Sequence, residues 1–236
     1  MMPINLNKQL ITTTILLIAV VTLFQFTELD IFVQNFFYNF ETKSWIIDKN
    51  EPILKFFFYD EIKVLLIIFG VAILFSLIFL KRNRLVQEYK KGLIIVLLSA
   101  IFVPLIIGSL KDITNTPCPC NIVHFNGVYP ENKVFEHYPK DFVQNSKVKC
   151  WPAGHASGGF ALMALFFLFK TPRNQKRALI GALIVGWSMG TYKMLSGDHF
   201  LSHTIITMIM AWLIILIIVK CTQFKQKDKI EKPTKI

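Results

Sequence analysis

Six apolar runs divide this 236-residue chain, at about 10–26, 64–80, 92–110, 154–169, 178–195 and 204–219. A helix crossing a bilayer needs about 20 mostly apolar residues, with about 17 tolerated, since backbone polar groups in hydrocarbon must be satisfied within the segment. With flanking residues most of the runs reach that length. The fourth reaches it only if it begins near Pro152. The chain is 53% hydrophobic with a mean hydropathy of +0.50, a composition that belongs to membrane proteins. The expected fold is therefore all-α: a polytopic six-transmembrane-helix bundle. Residues 1–222 form one transmembrane domain with outer loops at 28–60 and 112–153, and 223–236 read as a disordered basic tail. Pro104 inside the third run is expected to kink it. The first run lacks a small-residue cleavage site and is long enough to span, so it reads as a span and not as a cleavable signal.

The formal charge of +11 would suit nucleic acid, but the basic residues cluster between apolar runs and read as topology signals. Lys81, Arg82, Arg84, Lys90 and Lys91 fill the second connection, Lys170, Arg173, Lys176 and Arg177 the fourth, and Lys225, Lys227, Lys229, Lys232 and Lys235 the tail. The positive-inside rule places all three, and both termini, in the cytoplasm. In the 28–60 loop, Leu29, Phe32, Val33, Phe36, Phe37 and Phe40 recur at helical spacing, with Gln34, Asn35 and Asn39 opposite. That pattern fits a helix lying in the outer interface or one packed on the bundle.

On the expected outer face, ionisable residues from separate helix ends reach one level. Lys111 closes the third run, His155 opens the fourth, Lys193 lies near the end of the fifth, and His199 and His203 flank the start of the sixth. Ionisable groups at membrane depth are costly and are functional candidates, although a lone lysine at a helix end also snorkels to the interface without further purpose. The stretch from Cys150 to Phe160 reads Cys-Trp-Pro-Ala-Gly-His-Ala-Ser-Gly-Gly-Phe. Pro152 suits a first helical turn, and Ala153 and Gly154 leave small backbone at a helix N-terminus, where free N–H groups bind anions. The chemistry this set supports is phosphoryl transfer. Cations and amides would hold the equatorial oxygens, one histidine would attack phosphorus, and another would protonate the leaving oxygen. The alternative is a capped helix with a solvent-facing histidine. His199 and His203 are four apart, which also suits zinc, but no acidic cluster accompanies them, and no metal or other cofactor is expected. His124 and His137 read as surface residues of the loop.

These residues fall into three motifs, and on them the chain resembles the type 2 phosphatidic acid phosphatase superfamily. That family carries Lys-x6-Arg-Pro, Pro-Ser-Gly-His and Ser-Arg-x5-His-x3-Asp. Here they read Lys111-x6-Cys118-Pro119, Pro152-Ala153-Gly154-His155 and Tyr192-Lys193-x5-His199-x3-His203. The resemblance implies a membrane-embedded lipid phosphatase that needs no metal. It makes His199 the nucleophile that forms a phosphohistidine, His155 the general acid, and Lys111, Lys193, Ala153 and Gly154 the phosphate-binding groups. It also implies a bacterial-type inner membrane with the site on the outer face. The substrate would be an envelope lipid phosphate, with lipid A or undecaprenyl pyrophosphate favoured over phosphatidic acid or phosphatidylglycerophosphate. A lipid phosphotransferase, or a lipid-phosphate-binding or transport protein without turnover, are the alternatives.

Four positions depart from the family pattern: Cys118 for arginine, Ala153 for serine, Lys193 for arginine and His203 for the aspartate that orients the nucleophile. Lysine lacks the planar fork of arginine, and a neutral His203 offers His199 no full negative charge. Cys118 and Cys150 sit beside the first and second motifs. If both motifs line one phosphate site, a disulfide between these cysteines would staple its two edges, with Cys120 as the competing partner and free thiols as the third outcome.

Overall fold

The computed structural model describes residues 5–231 except 50 and 57–59. The helices in chain order are α1 (Leu6–Gln25), α2 (Leu29–Asn35), α3 (Pro52–Lys55), α4 (Glu61–Phe79), α5 (Arg84–Ile113), α6 (Gly154–Ala161), α7 (Pro172–Leu195) and α8 (Leu201–Glu231). Five of them, α1, α4, α5, α7 and α8, are long and apolar enough to cross a membrane. The fourth apolar run of the sequence is a shorter element, in which α6 continues as a 3-10 helix over Leu162–Phe167. Even with the larger rise of the 3-10 turns the pair measures roughly 24 Å, short of a hydrocarbon core of about 30 Å. The basic tail expected from residue 223 falls partly on the last turns of α8 and partly outside the described residues.

Helix starts follow local chemistry. Asn5, Asn83 and Thr171 cap α1, α5 and α7 by accepting backbone N–H groups through their side chains. The first turn of α8 is capped from elsewhere. Asp30 on α2 accepts the Ser202 N–H at 2.8 Å, and burial raises its carboxyl to a pKa of about 6 despite that bond.

α6 occupies the centre of the bundle, against α5, α7 and α8, while α1 packs on α8 and α4 on α5. Small residues allow the central crossing. A Cβ on Gly159 would stand 2.8 Å from the Gly186 Cα, so α6 and α7 meet backbone to backbone. The main core lies between these helices, around Val103, Ile107, Ala156, Phe160, Ala164, Ile215 and Leu216. Large apolar side chains of α1 and α4, such as Ile11, Ile15, Ile67, Ile68 and Val71, face outward, as expected of surfaces that meet lipid.

Both ends of the bundle are built by connections. At one end Lys170, ahead of α7, pairs with Glu88 in the first turns of α5 at 2.6 Å, so two of the basic clusters share that end. At the other end stand the last turn of α5, the start of α6, the end of α7 and the start of α8. Above them the 28–60 and 112–153 segments and the α7–α8 turn share a second apolar cluster of Tyr38, Ile122, Phe125 and Phe200 with Ile31 and Trp45.

The 28–60 segment departs from the helical pattern in its sequence. Helix α2 ends at Asn35, and Tyr38–Asn39 (β1) pairs antiparallel with Ser44–Trp45 (β2), so Phe36, Phe37 and Phe40 lie beyond the helix. Gln34, placed on the polar side by spacing, is fully buried and donates to the Met194 carbonyl at 2.8 Å. Phe32 and Phe36 point outward instead. A helix end on α7 left a carbonyl to satisfy, and the only long donor on that face of α2 is this glutamine.

Candidate active site

The α7–α8 turn carries the central histidine. Lys193, in the last turn of α7, offers its carbonyl to both the Asp198 and His199 N–H groups, at 2.8 and 3.2 Å. The reversal needs a left-handed residue, Gly197 at φ 74°. A Cβ there would also strike the Trp45 ring, so glycine is required twice over. The Gly197 carbonyl accepts from Cys120 N–H at 2.9 Å, which ties the outer loop to the same turn.

His199, held by this turn, is buried and has a neighbour at each ring nitrogen. Its Nε2 lies 3.4 Å from His155 Nδ1, and its Nδ1 lies 3.4 Å from His203 Nδ1. Burial first, and then the His203 and His155 rings and the Lys111 and Lys193 cations, hold the His199 imidazole well below its ordinary pKa. It is therefore neutral at physiological pH. When His203 Nδ1 accepts the His199 Nδ1 proton, the lone pair of His199 is left on Nε2, the atom that faces His155. In that arrangement the contact fixes the His199 tautomer with no negative charge from His203.

The cations stand around this pair. Lys111 closes α5, half-buried, with its Cδ 3.6 Å from where a Cβ on Gly154 would be. Lys193 donates to Asp198 Oδ2 at 2.8 Å, with Ser196 Oγ 3.3 Å from the same oxygen. The carboxylate next to the central histidine in sequence is thus turned to the lysine and not to the imidazole.

Two expectations at the helix N-terminus need correction. Pro152 does not open the helix; it follows a cis peptide bond from Trp151, and α6 begins at Gly154 with Ala153 as N-cap. The Ala153 amide does not face a ligand either. It is buried and donates to Thr207 Oγ1 on α8 at 2.9 Å. A threonine one turn beyond His203 takes that N–H, so it is not open to an anion. Thr207 itself was hidden in the sequence inside an apolar run, four residues from His203.

Cys118 and Cys150 are joined, with an S–S distance of 2.07 Å. Cys120 is a free thiol. The Cys150 N–H donates to the Thr116 carbonyl at 3.1 Å, Asn115 and Gln144 exchange amide hydrogen bonds at 2.7 and 2.9 Å, and Lys149 pairs with Asp112 at 2.9 Å. These contacts fasten the two ends of the 112–153 loop beside the site. His124 and His137 are exposed and lie apart from it, His124 bonding Asn35 Oδ1 at 2.8 Å.

The tautomer role of His203 has a measurable consequence. His203→Ala is expected to lower turnover about 10- to 100-fold, in the range of losing a supporting partner, with thermal stability largely retained. His203→Asp is expected to match or exceed the wild type, because a carboxylate stabilises the imidazolium formed during transfer. Wild-type rates in both variants would show that His203 does not act on His199.

The structure is a mostly helical bundle, five of whose helices are long and apolar enough to cross a membrane, and it gathers three histidines and two lysines at its helix ends. Residues 92–227 match the model of the PAP2 superfamily, and the chain belongs to that superfamily. A lipid A 4'-phosphatase of Francisella tularensis subsp. novicida (strain U112) is 28% identical over 137 residues, which are 57% of this chain and 60% of the relative. The chain thus spans about three-fifths of the length of that curated relative. No solved structure matches.

Proposed function

We infer that this chain is a lipid phosphatase that hydrolyses an envelope lipid phosphate through a phosphohistidine, with no metal in the reaction. The observation that carries this reading is the placement of His199, neutral and buried, with His155 3.4 Å from its Nε2 and His203 3.4 Å from its Nδ1. In the first step His199 Nε2 attacks phosphorus, the P–O bond to the lipid breaks, and His155 gives its proton to the leaving oxygen. In the second, His155 takes a proton from water, the water oxygen bonds to phosphorus, and the P–N bond breaks to free phosphate and His199. Lys111, Lys193 and the Gly154 amide stabilise the charge on the non-reacting oxygens. Lys193 exchanges its Asp198 partner for phosphate or shares it between the two.

A cavity of about 540 Å³ supports a lipid substrate. It reaches His155 at one end, and Leu66, Leu74, Val96, Pro104 and Leu162 line its walls. Such a space holds acyl chains with the phosphate presented to the histidines. The two basic connections share the opposite end of the bundle, which by the positive-inside rule faces the cytoplasm. The site then opens on the outer face of a bacterial-type inner membrane, where envelope lipids are processed. The name of the Francisella relative favours lipid A among them.

Phosphate release by the detergent-purified protein tests the reading. Lipid A phosphate, undecaprenyl pyrophosphate, phosphatidic acid and phosphatidylglycerophosphate are presented separately, with and without chelator. The expected result is release that chelator leaves unchanged, fastest from lipid A. A phosphoenzyme that forms without releasing phosphate would indicate a transferase, and no phosphoenzyme from any lipid would end the enzymatic reading.

A further inference from the structure

The sulfur of Cys150 belongs to more than the staple. Sγ lies 3.5 Å from His199 Nδ1, and His199 Nδ1 lies 3.4 Å from His203 Nδ1. The three potential ligand atoms all fall within 4.8 Å of one another, and the three residues are buried. A tetrahedral zinc ion with Zn–S of about 2.3 Å and Zn–N of about 2.0–2.1 Å places its ligands about 3.5 Å apart on an S–N edge and about 3.4 Å apart on an N–N edge. The two closest separations here match those edges. One thiolate and two imidazoles are also a ligand set suited to zinc and its neighbours over harder cations.

In the oxidised protein this set is incomplete, because the Cys150 sulfur is bonded to Cys118 and carries no thiolate. We propose that the Cys118–Cys150 disulfide guards the catalytic histidines, and that its reduction opens a Cys150–His199–His203 site that binds one zinc-like divalent cation and stops the reaction.

The chemistry balances with a thiol or phosphine reductant. Two thiols give two electrons and two protons to the disulfide and leave as a new disulfide. A phosphine instead becomes its oxide, taking oxygen from water, and again both cysteines become thiols. The cation then displaces the Cys150 thiol proton and takes lone pairs from the two neutral imidazoles. The carbonyl oxygen of Asp198 lies 2.9 Å from the same sulfur. Binding at His199 Nδ1 sends that ring's remaining proton to Nε2. The atom that must attack phosphorus then has no lone pair, so inhibition follows from the tautomer and does not require the cation to touch the substrate.

Cobalt(II) reports on such a site directly, through thiolate-to-metal absorption in the near ultraviolet and visible bands of tetrahedral geometry. The experiment uses the full chain in detergent with Cys120→Ser and Cys221→Ser, which removes the two free thiols. After reduction with a phosphine, one equivalent of Co²⁺ is expected to produce both bands, and the oxidised protein to produce neither. Cys118→Ser should show the bands without reductant, and Cys150→Ser should not show them under any condition. Zn²⁺ should lower phosphate release at least 10-fold in the reduced protein only, with recovery on adding chelator. If reduced protein and Cys118→Ser both lack the thiolate band, or if Cys150→Ser retains it, the proposal falls. The spectrum is independent of turnover, so this outcome is separate from failure of the phosphatase reading.

Discussion

His199→Ala is expected to reduce phosphate release by more than about 10⁴-fold, to the background of the assay, because in the proposed mechanism it removes the atom that bonds to phosphorus. The covalent intermediate should vanish with it. Radiolabelled lipid phosphate should leave an acid-labile label on the wild type and none on the variant. The change also replaces a buried neutral imidazole by a smaller side chain beside His155 and His203, so a modest loss of stability should accompany it. Thermal unfolding separates the two effects. A variant that stays folded at assay temperature and still turns over at more than a few per cent of the wild-type rate would show that another group attacks phosphorus.

His155→Ala is expected to cost about 10²- to 10⁴-fold, the usual range for losing a general acid, and the loss should depend on the leaving group. An alkoxide leaving from a phosphate monoester needs a proton, whereas a phosphate leaving from a pyrophosphate, or a nitrophenolate, needs less help. The variant should therefore form the labelled intermediate readily from an aryl phosphate and slowly from a lipid monoester. Breakdown of the intermediate should slow with every substrate, since in the proposed mechanism the same ring activates water in the second step. An equal loss on all substrates in the first step would instead mark His155 as a phosphate-binding residue. Its position at the mouth of the apolar cavity serves either role, and the leaving-group series decides between them.

The meeting of the candidate histidines was legible in the sequence because their positions are fixed by helix ends. Lys111, His155, Lys193, His199 and His203 each mark where an apolar run starts or stops, and runs that alternate in direction bring alternate ends to one face. What surrounds them was less legible. The fate of the Ala153 amide depended on Thr207, whose hydroxyl in an apolar helix reads as an ordinary tolerated threonine until the facing donor is known. Gln34 followed helical spacing to the wrong side, because the Met194 carbonyl that draws it inward lies on another helix. The β1–β2 hairpin left almost no pattern in strands of two residues each. Asp198 was placed next to His199 by sequence, but the turn directs its carboxylate back to Lys193. In each case the missing information was a partner far along the chain, which periodicity does not carry.

The turn that presents His199 has a consequence for how the protein comes into being. Its flanks are secured by residues made much earlier: Gln34 bonds Met194 across 160 positions, and Asp30 bonds Ser202 across 172. Trp45 fills the space beside Gly197, and Cys120 reaches that residue's carbonyl. Met194 and Gly197 lie at the end of α7 and in the turn, and Ser202 at the start of α8, so the turn takes its form only after most of the chain has been made. His199 is thus framed late, by a turn whose two flanks are each tied back to α2, the first short helix after the opening span.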